Sequence, residues 1–145
     1  MPDIEPFSPR GMFHEGWTAE VNDYAIACGL ALIGKQFIVG DVAGGLFAFE
    51  GDTGKIIWKK EKTHSGGLLA MAIHPEGEIF ATSGQDGNVQ ICNCLVGKVI
   101  KTLDLGKGWV EHLKWSNDGL FLAIASSKKV YVLSLIHISE PTRRM

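Results

Sequence analysis

One unit recurs along the chain, and this limits what it can fold into more than any other feature. A slide of 43 residues lays Ala27 on Ala70, Gly34 on Gly77, Phe37 on Phe80, Gly44 on Gly87, Gly54 on Gly97 and Ile57 on Ile100, without a gap. A slide of 42 residues then lays Leu68–Gly77 on Val110–Gly119, pairing Met71 with Leu113 and Ile73 with Trp115. About two and a half to three copies are present, starting near Thr18.

Each copy reads as short strands cut by turn chemistry. Copy one offers Asp23–Cys28, Gln36–Val39, Leu46–Glu50 and Lys55–Lys59. Copy two offers Leu68–Ile73, Ile79–Ser83, Asn88–Cys92 and Lys98–Leu103, and copy three Val110–Trp115, Leu120–Ala125 and Val130–Leu133. The breaks are Ala43-Gly44-Gly45, Asp52-Thr53-Gly54, Pro75-Glu76-Gly77, Gln85-Asp86-Gly87 and Asn117-Asp118-Gly119, residues that take tight turns with little strain. Leu68–Ile73, Leu46–Phe49 and Phe121–Ala125 are apolar on both faces. A sheet with one wet face alternates; a sheet packed on both sides does not. An ordinary β-sandwich is the competing architecture, but its strands do not repeat as blocks. The pattern predicts an all-β chain: a partial β-propeller of about two and a half to three four-stranded antiparallel blades.

Composition narrows the function classes. The 145 residues are 46% hydrophobic and 21% charged, which excludes a disordered tail, a collagen-like chain and a coiled coil. A net charge of -2 gives no bulk attraction to nucleic acid or to an anionic membrane. The three cysteines, Cys28, Cys92 and Cys94, form no disulfide framework and have no zinc spacing, so reduced and mostly buried thiols are expected. His14, His64, His74, His112 and His137 show no metal spacing. No phosphate loop, nucleophile elbow or carboxylate pair appears, so neither a metal nor a cofactor is expected. The N-terminus has no apolar signal core, and no stretch approaches the roughly 20 apolar residues that span a bilayer. A cytoplasmic protein is expected. Trp17, Trp109 and Trp115 read as packing residues, and Lys59–Lys62 as a solvated strand end.

The motifs of copy two resemble the WD40 repeat family. His64-Ser-Gly-Gly-Leu68 stands at the family's Gly-His opening, with Thr63 in place of the Gly. His74-Pro75-Glu76-Gly77 is similar to its Ser-Pro-Asp-Gly turn, and Phe80 to Asn93 to the stretch that ends in Trp-Asp, with Cys92-Asn93 replacing that pair. Copy three adds Trp115-Ser-Asn-Asp-Gly119. The resemblance runs from about Thr18 to Val132. It implies that His64, Thr82 and Asp86 form a structural hydrogen-bonded network. The same residue types resemble a hydrolase triad, but no oxyanion hole accompanies them. Copy one has Val21, Val39, Ala43 and Phe49 at the network's places, and copy three has Gly106 and Ile124. The resemblance also implies a protein- or peptide-binding face near Gln85 and Trp109, and an outer strand of the last blade supplied by the segment around Gly11–Ala19.

A second resemblance competes. Ala48-Phe-Glu-Gly-Asp-Thr-Gly-Lys-Ile-Ile-Trp58 is similar to the tryptophan-docking repeat of quinoprotein dehydrogenase propellers, with Glu50 for Asp. In that family such tryptophans clamp neighbouring blades. Lys101 and Ile91 stand at the matching places of copy two, so the motif occurs once in the sequence.

Leu133 to Arg143 fits no blade pattern and resembles the forward translation of a transposon-end adapter from sequencing libraries. The resemblance implies a reading frame that leaves the native gene inside copy three. The expected layout is a segment 1–17, blades at 18–62 and 63–105, an incomplete blade at 106–132 and a non-native tail at 133–145. An apolar flank of Phe121, Ile124 and Val130 would face water, leaving the chain marginally stable, aggregation-prone and able to self-associate through open blade edges. The function expected is a non-catalytic protein-interaction scaffold. A fragment of a quinoprotein-like enzyme and a truncated product without its own function are the alternatives.

Overall fold

The computed structural model describes residues 16–32 and 34–135. These form eleven strands: β1 Ala25–Ala31, β2 Gln36–Asp41, β3 Leu46–Glu50, β4 Ile56–Lys60, β5 Leu68–Ile73, β6 Ile79–Gly84, β7 Asn88–Asn93, β8 Val99–Asp104, β9 His112–Trp115, β10 Phe121–Ser126 and β11 Lys129–Ser134. They pair antiparallel into three meanders, β1-β2-β3-β4, β5-β6-β7-β8 and β9-β10-β11. The sheets follow the repeat copies, and every expected strand is present with ends moved by a few residues. Irregular pairing between Ala48 and Phe49 on β3, and between Ile91 and Cys92 on β7, falls at equivalent places of the first two sheets.

The sheets stack face to face as neighbouring blades of a partial β-propeller. Ala31, Ile38, Leu46 and Ala48 of blade one meet Leu68, Phe80, Cys92 and Cys94 of blade two, all at most 1% exposed. Ala81, Val89 and Ile91 on the other face of blade two meet Val110, Trp115, Leu122 and Ile124 of blade three. Both faces of blade two are therefore dry, which is why its strands read as apolar on both sides. The innermost strands touch most closely: a Cβ added at Gly29 on β1 would lie 3.7 Å from the Ile73 Cβ on β5.

Blade three corrects one expectation. Phe121 and Val130 face water, but Ile124 is 0% exposed and packs against blade two. Side chains alternate along a strand, so Phe121 and Ile124, three residues apart, cannot share a face. Val132, not Ile124, completes the exposed apolar side. Tyr131, Leu133 and Leu135 lean the other way, onto the core between blades two and three. Strand β11 thus runs through Leu133 and Ser134, the first residues of the expected tail. Residues 136–145 of that tail, His137 among them, lie outside the described residues, as do 1–15 of the N-terminal segment and so most of the expected Gly11–Ala19 strand. Gly16–Ala19 carries no strand assignment.

Two tryptophans dock at the lower end of the blades, the end that carries the β3–β4 and β7–β8 turns: Trp58 ties blade one to blade two, and Trp17 ties the preceding segment to blade one. The Trp58 indole N–H on β4 donates to the Cys94 carbonyl at 2.9 Å, and its ring stacks near Phe80 and covers Gly97. Trp17 donates to the Gly51 carbonyl at 2.8 Å and covers Gly54. Gly51 and Gly54 are the repeat equivalents of Cys94 and Gly97, so both rings make the same contact one blade apart. The docking contact that the sequence shows once is therefore made twice. Trp17 escapes the repeat comparison because it is displaced in register from Trp58. Both turn glycines have φ of 76°, a left-handed conformation, and an added Cβ at either would meet an indole ring.

A second clasp joins the lower ends nearer the inner strands. The Leu32 amide donates to the Gly77 carbonyl, and His74 Nε2 donates to the equivalent Gly119 carbonyl, both at 2.9 Å. His74 Nδ1 accepts from the Glu76 amide, which fixes the proton on Nε2. Trp115 lies edge-on to that imidazole and donates its own N–H to the Ala72 carbonyl.

Candidate functional site

The upper end carries the β2–β3, β6–β7 and β10–β11 turns and the connections between blades. Here the structure brings His64, Thr82 and Asp86 together. His64 Nδ1 lies 3.0 Å from Asp86 Oδ1, and Nε2 lies 2.8 Å from the Thr82 hydroxyl. A carboxylate only accepts, so Nδ1 carries the proton and Nε2 accepts from the hydroxyl. Asp86 also takes the Ser65 and Asn88 amides. Burial pushes the Asp86 carboxyl up, but the hydrogen bond from His64 and these amides outweigh it and hold it below the usual carboxylate range.

The chain builds this network from three loops and strands. His64 sits in the connection between blades one and two, Thr82 on β6 and Asp86 in the turn after it. The network thus ties the entry of blade two to its central strands. Its donor order matches that of a hydrolase triad, but Thr82 is 0% exposed and His64 2%. The hydroxyl that would attack a substrate does not meet solvent. Cys92, at the family's Trp position, is buried in the core between blades one and two.

Blade one lacks these residues, and a different carboxylate serves its upper turn. Asp41, 1% exposed, accepts the amides of Asp23, Ala43 and Gly45. The sequence reading missed it. Its signal is an Asp that opens a Gly-Gly turn, a pattern in which the carboxylate bonds amides ahead of it. A buried Asp41 held by three amides replaces the His64 network, so blade one does not manage on apolar packing alone.

Gln85 and Trp109 both stand at the upper end. Gln85 is half-buried against Gly66, and its side-chain amide makes no hydrogen bond among the described residues. Trp109 is 52% exposed, so it is not the packing residue that composition suggested; Trp17 and Trp115 are. Its carbonyl accepts from the Ser126 hydroxyl at 2.9 Å. The connection Leu105–Trp109 rests on Gly87, where an added Cβ would meet the Gly106 and Gly108 carbonyls.

The thiols divide. Cys28 is exposed, contrary to expectation, because β1 turns it toward the open side of blade one. Burial pushes Cys92 up to about 11 and Cys94 up to about 12, which makes both unreactive. Lys60, expected in solvent, donates to the Gly97 carbonyl at 2.8 Å. Among the described residues no group of three or more His, Cys, Asp or Glu could hold a metal ion, and no helix is long and apolar enough to cross a membrane. A shallow cleft of about 290 Å³ at the lower end has Ile73, Leu113, Lys114, Trp115 and Ser116 in its wall, and the Ser116 hydroxyl is engaged with the Asp118 carboxylate of its own turn at 2.7 Å.

Comparison with known proteins agrees with this geometry. The family model for the WD domain, G-beta repeat, matches residues 56–93. WD repeat-containing protein 1 of Bos taurus is 43% identical over 63 residues, 41% of this chain and 10% of its own length. Ribosome biogenesis protein ERB1 of Chaetomium thermophilum is 30% identical over 79 residues, 52% of this chain and 10% of its own length. The matched stretch thus spans about a tenth of these relatives. The β-propeller domain of Cps50 (Swd1) from Myceliophteria thermophila superposes with a TM-score of 0.68 at 16% identity, covering 84% of this chain and 38% of that one. At that identity the likeness concerns the fold alone. Residues 56–93 match the WD domain, G-beta repeat, and the three sheets have the fold of neighbouring blades of a β-propeller.

Proposed function

We propose that the chain is part of a non-catalytic scaffold whose upper end binds another protein or peptide. The observation that carries this reading is a division of labour at one end of the blades. The residues with catalytic chemistry, His64 and Thr82, are sealed inside and fully engaged with each other. The residues with recognition chemistry, Trp109 and Gln85, stand at the surface with unused bonding capacity. Tryptophans are common anchors at protein interfaces. For the quinoprotein alternative, the supporting feature is the pair of docking tryptophans, whose contacts are those of packing.

The test is site-specific photo-crosslinking. A photoreactive residue is placed at position 85 or 109, and at position 96 in the lower β7–β8 turn as a control. Polypeptide adducts are expected through 85 and 109 and not through 96. Adducts through 96 alone would overturn the assignment of the upper end. Ester or peptide hydrolysis that disappears with His64→Ala would overturn the non-catalytic reading.

A further inference from the structure

Three positions at the upper end are equivalent by the repeat, and the structure shows it in their bonds. Each residue offers its carbonyl to the upper turn of its own blade. The Val42 amide donates to the Tyr24 carbonyl at 2.9 Å, the Gln85 amide to Gly67 at 3.0 Å, and the Ser126 hydroxyl to Trp109 at 2.9 Å. The side chains at these positions are aromatic, absent and aromatic. Tyr24 is 82% exposed and Trp109 52%. Between them Gly67 is buried, and the half-buried Gln85 lies beside it.

Charge differs between the two ends of this row. Lys107 precedes Trp109, Lys128 lies in the β10–β11 turn, and Lys129 opens β11 opposite the Ser126 that bonds Trp109. None of the three lysines forms an ion pair with a described carboxylate. Glu111 and Asp104 are the nearby acids, and Asp104 is spent in part on the Gly106 amide. Beside Tyr24 the charged neighbours are Glu20 and Asp23, and Asp23 accepts the Tyr24 amide.

Resting on the binding face proposed above, we infer that this row receives an extended acidic peptide segment of another protein, laid across blades one to three. Apolar side chains of the segment pack on Tyr24 and Trp109, its backbone passes between them within reach of the Gln85 amide, and its carboxylates meet Lys128 and Lys129. Packed sheets lie about 10 Å apart, so the two aromatic ends are separated by no more than roughly 20 Å, a span of about six extended residues. Aromatic anchors with a rim of unpaired cations give both affinity and direction.

The test uses two synthetic eight-residue peptides. One carries leucines at its first and sixth positions and two glutamates after the second leucine; the other has lysines in place of the glutamates. Binding is followed by fluorescence anisotropy, and by acrylamide quenching, since Trp109 is the exposed tryptophan among the described residues. The expected result is at least tenfold tighter binding of the acidic peptide, protection of Trp109 from quenching, and at least tenfold weakening by Tyr24→Ala or by Trp109→Ala. Lys128→Glu with Lys129→Glu should reverse the charge preference. Equal binding of both peptides, indifference to Tyr24→Ala, or no binding at millimolar peptide overturns the inference. Adducts through positions 85 and 109 would then leave the binding face standing without this ligand. Adducts through position 96 alone would remove the face itself.

Discussion

Truncating the His64 ring tests whether the buried network holds blade two together. His64→Ala removes the acceptor of the Thr82 hydroxyl, which is 0% exposed and has no other partner at hand. An orphaned buried hydroxyl costs about 1–3 kcal/mol, and the lost imidazole packing adds about 1–2 kcal/mol. Asp86 suffers less, because it keeps the Ser65 and Asn88 amides and its side chain is 14% exposed. A total loss of about 2–5 kcal/mol follows, a large part of a small domain's stability. Thr82→Val removes only the hydroxyl and should cost about 1–2 kcal/mol. The double variant should cost clearly less than the sum, because each change removes the same bond. Urea unfolding followed by circular dichroism at micromolar protein measures all three. Additivity of the two single changes to within about 0.5 kcal/mol would refute a shared network. The pH dependence has a definite sign. The Asp86 carboxyl is held below its usual value when folded, so its contribution is present above the ordinary carboxylate range. It is lost as pH falls through the lowered value. The gap between wild type and Asp86→Asn should therefore shrink as pH falls below about 4.

Three further outcomes are expected. Trp58→Phe keeps a ring over Gly97 but leaves the Cys94 carbonyl without its donor, and thermal unfolding should show a loss of about 1–2 kcal/mol; no change would mean the bond is not made. Among the thiols, only Cys28 should react with a thiol reagent in the native chain, with Cys92 and Cys94 joining after denaturation; rapid native labelling of all three would contradict the buried core. Replacing Phe121, Val130 and Val132 together by Ser, Lys and Lys should lower light scattering of the 145-residue chain without lowering its unfolding midpoint; unchanged scattering would show that this face does not drive association.

Much of the architecture was legible because it is local. Turns at Gly44, Gly87 and Gly119 punctuate the strands, and their recurrence sets the blades. His64, Thr82 and Asp86 were legible because they lie within one copy at a spacing that a known family shares. What lay hidden is what one blade does to the next. Trp17 docks where Trp58 docks, yet it is out of register with the repeat, so no alignment of copies finds it. Asp41 is two residues ahead of the position where copy two carries Asp86, and it reaches the same turn by another route. Tyr24 and Trp109 occupy one register position, and it takes three blades side by side to set both at the same end of the structure. Ile124 was misplaced for a simpler reason: apolar residues on both faces of β10 make polarity silent about direction, and only strand parity separates them.

The central claim is that blades one and two stack through their innermost strands, and a disulfide tests it most directly. An added Cβ at Gly29 would lie 3.7 Å from the Ile73 Cβ, within the spacing that a disulfide needs. In a Cys28→Ser background, Gly29→Cys with Ile73→Cys should oxidise in air to an intrachain bond, seen as a faster-migrating monomer that reverts on reduction. Free thiols at both positions after oxidation, or disulfide-linked dimers alone, would contradict the stacking of the two blades.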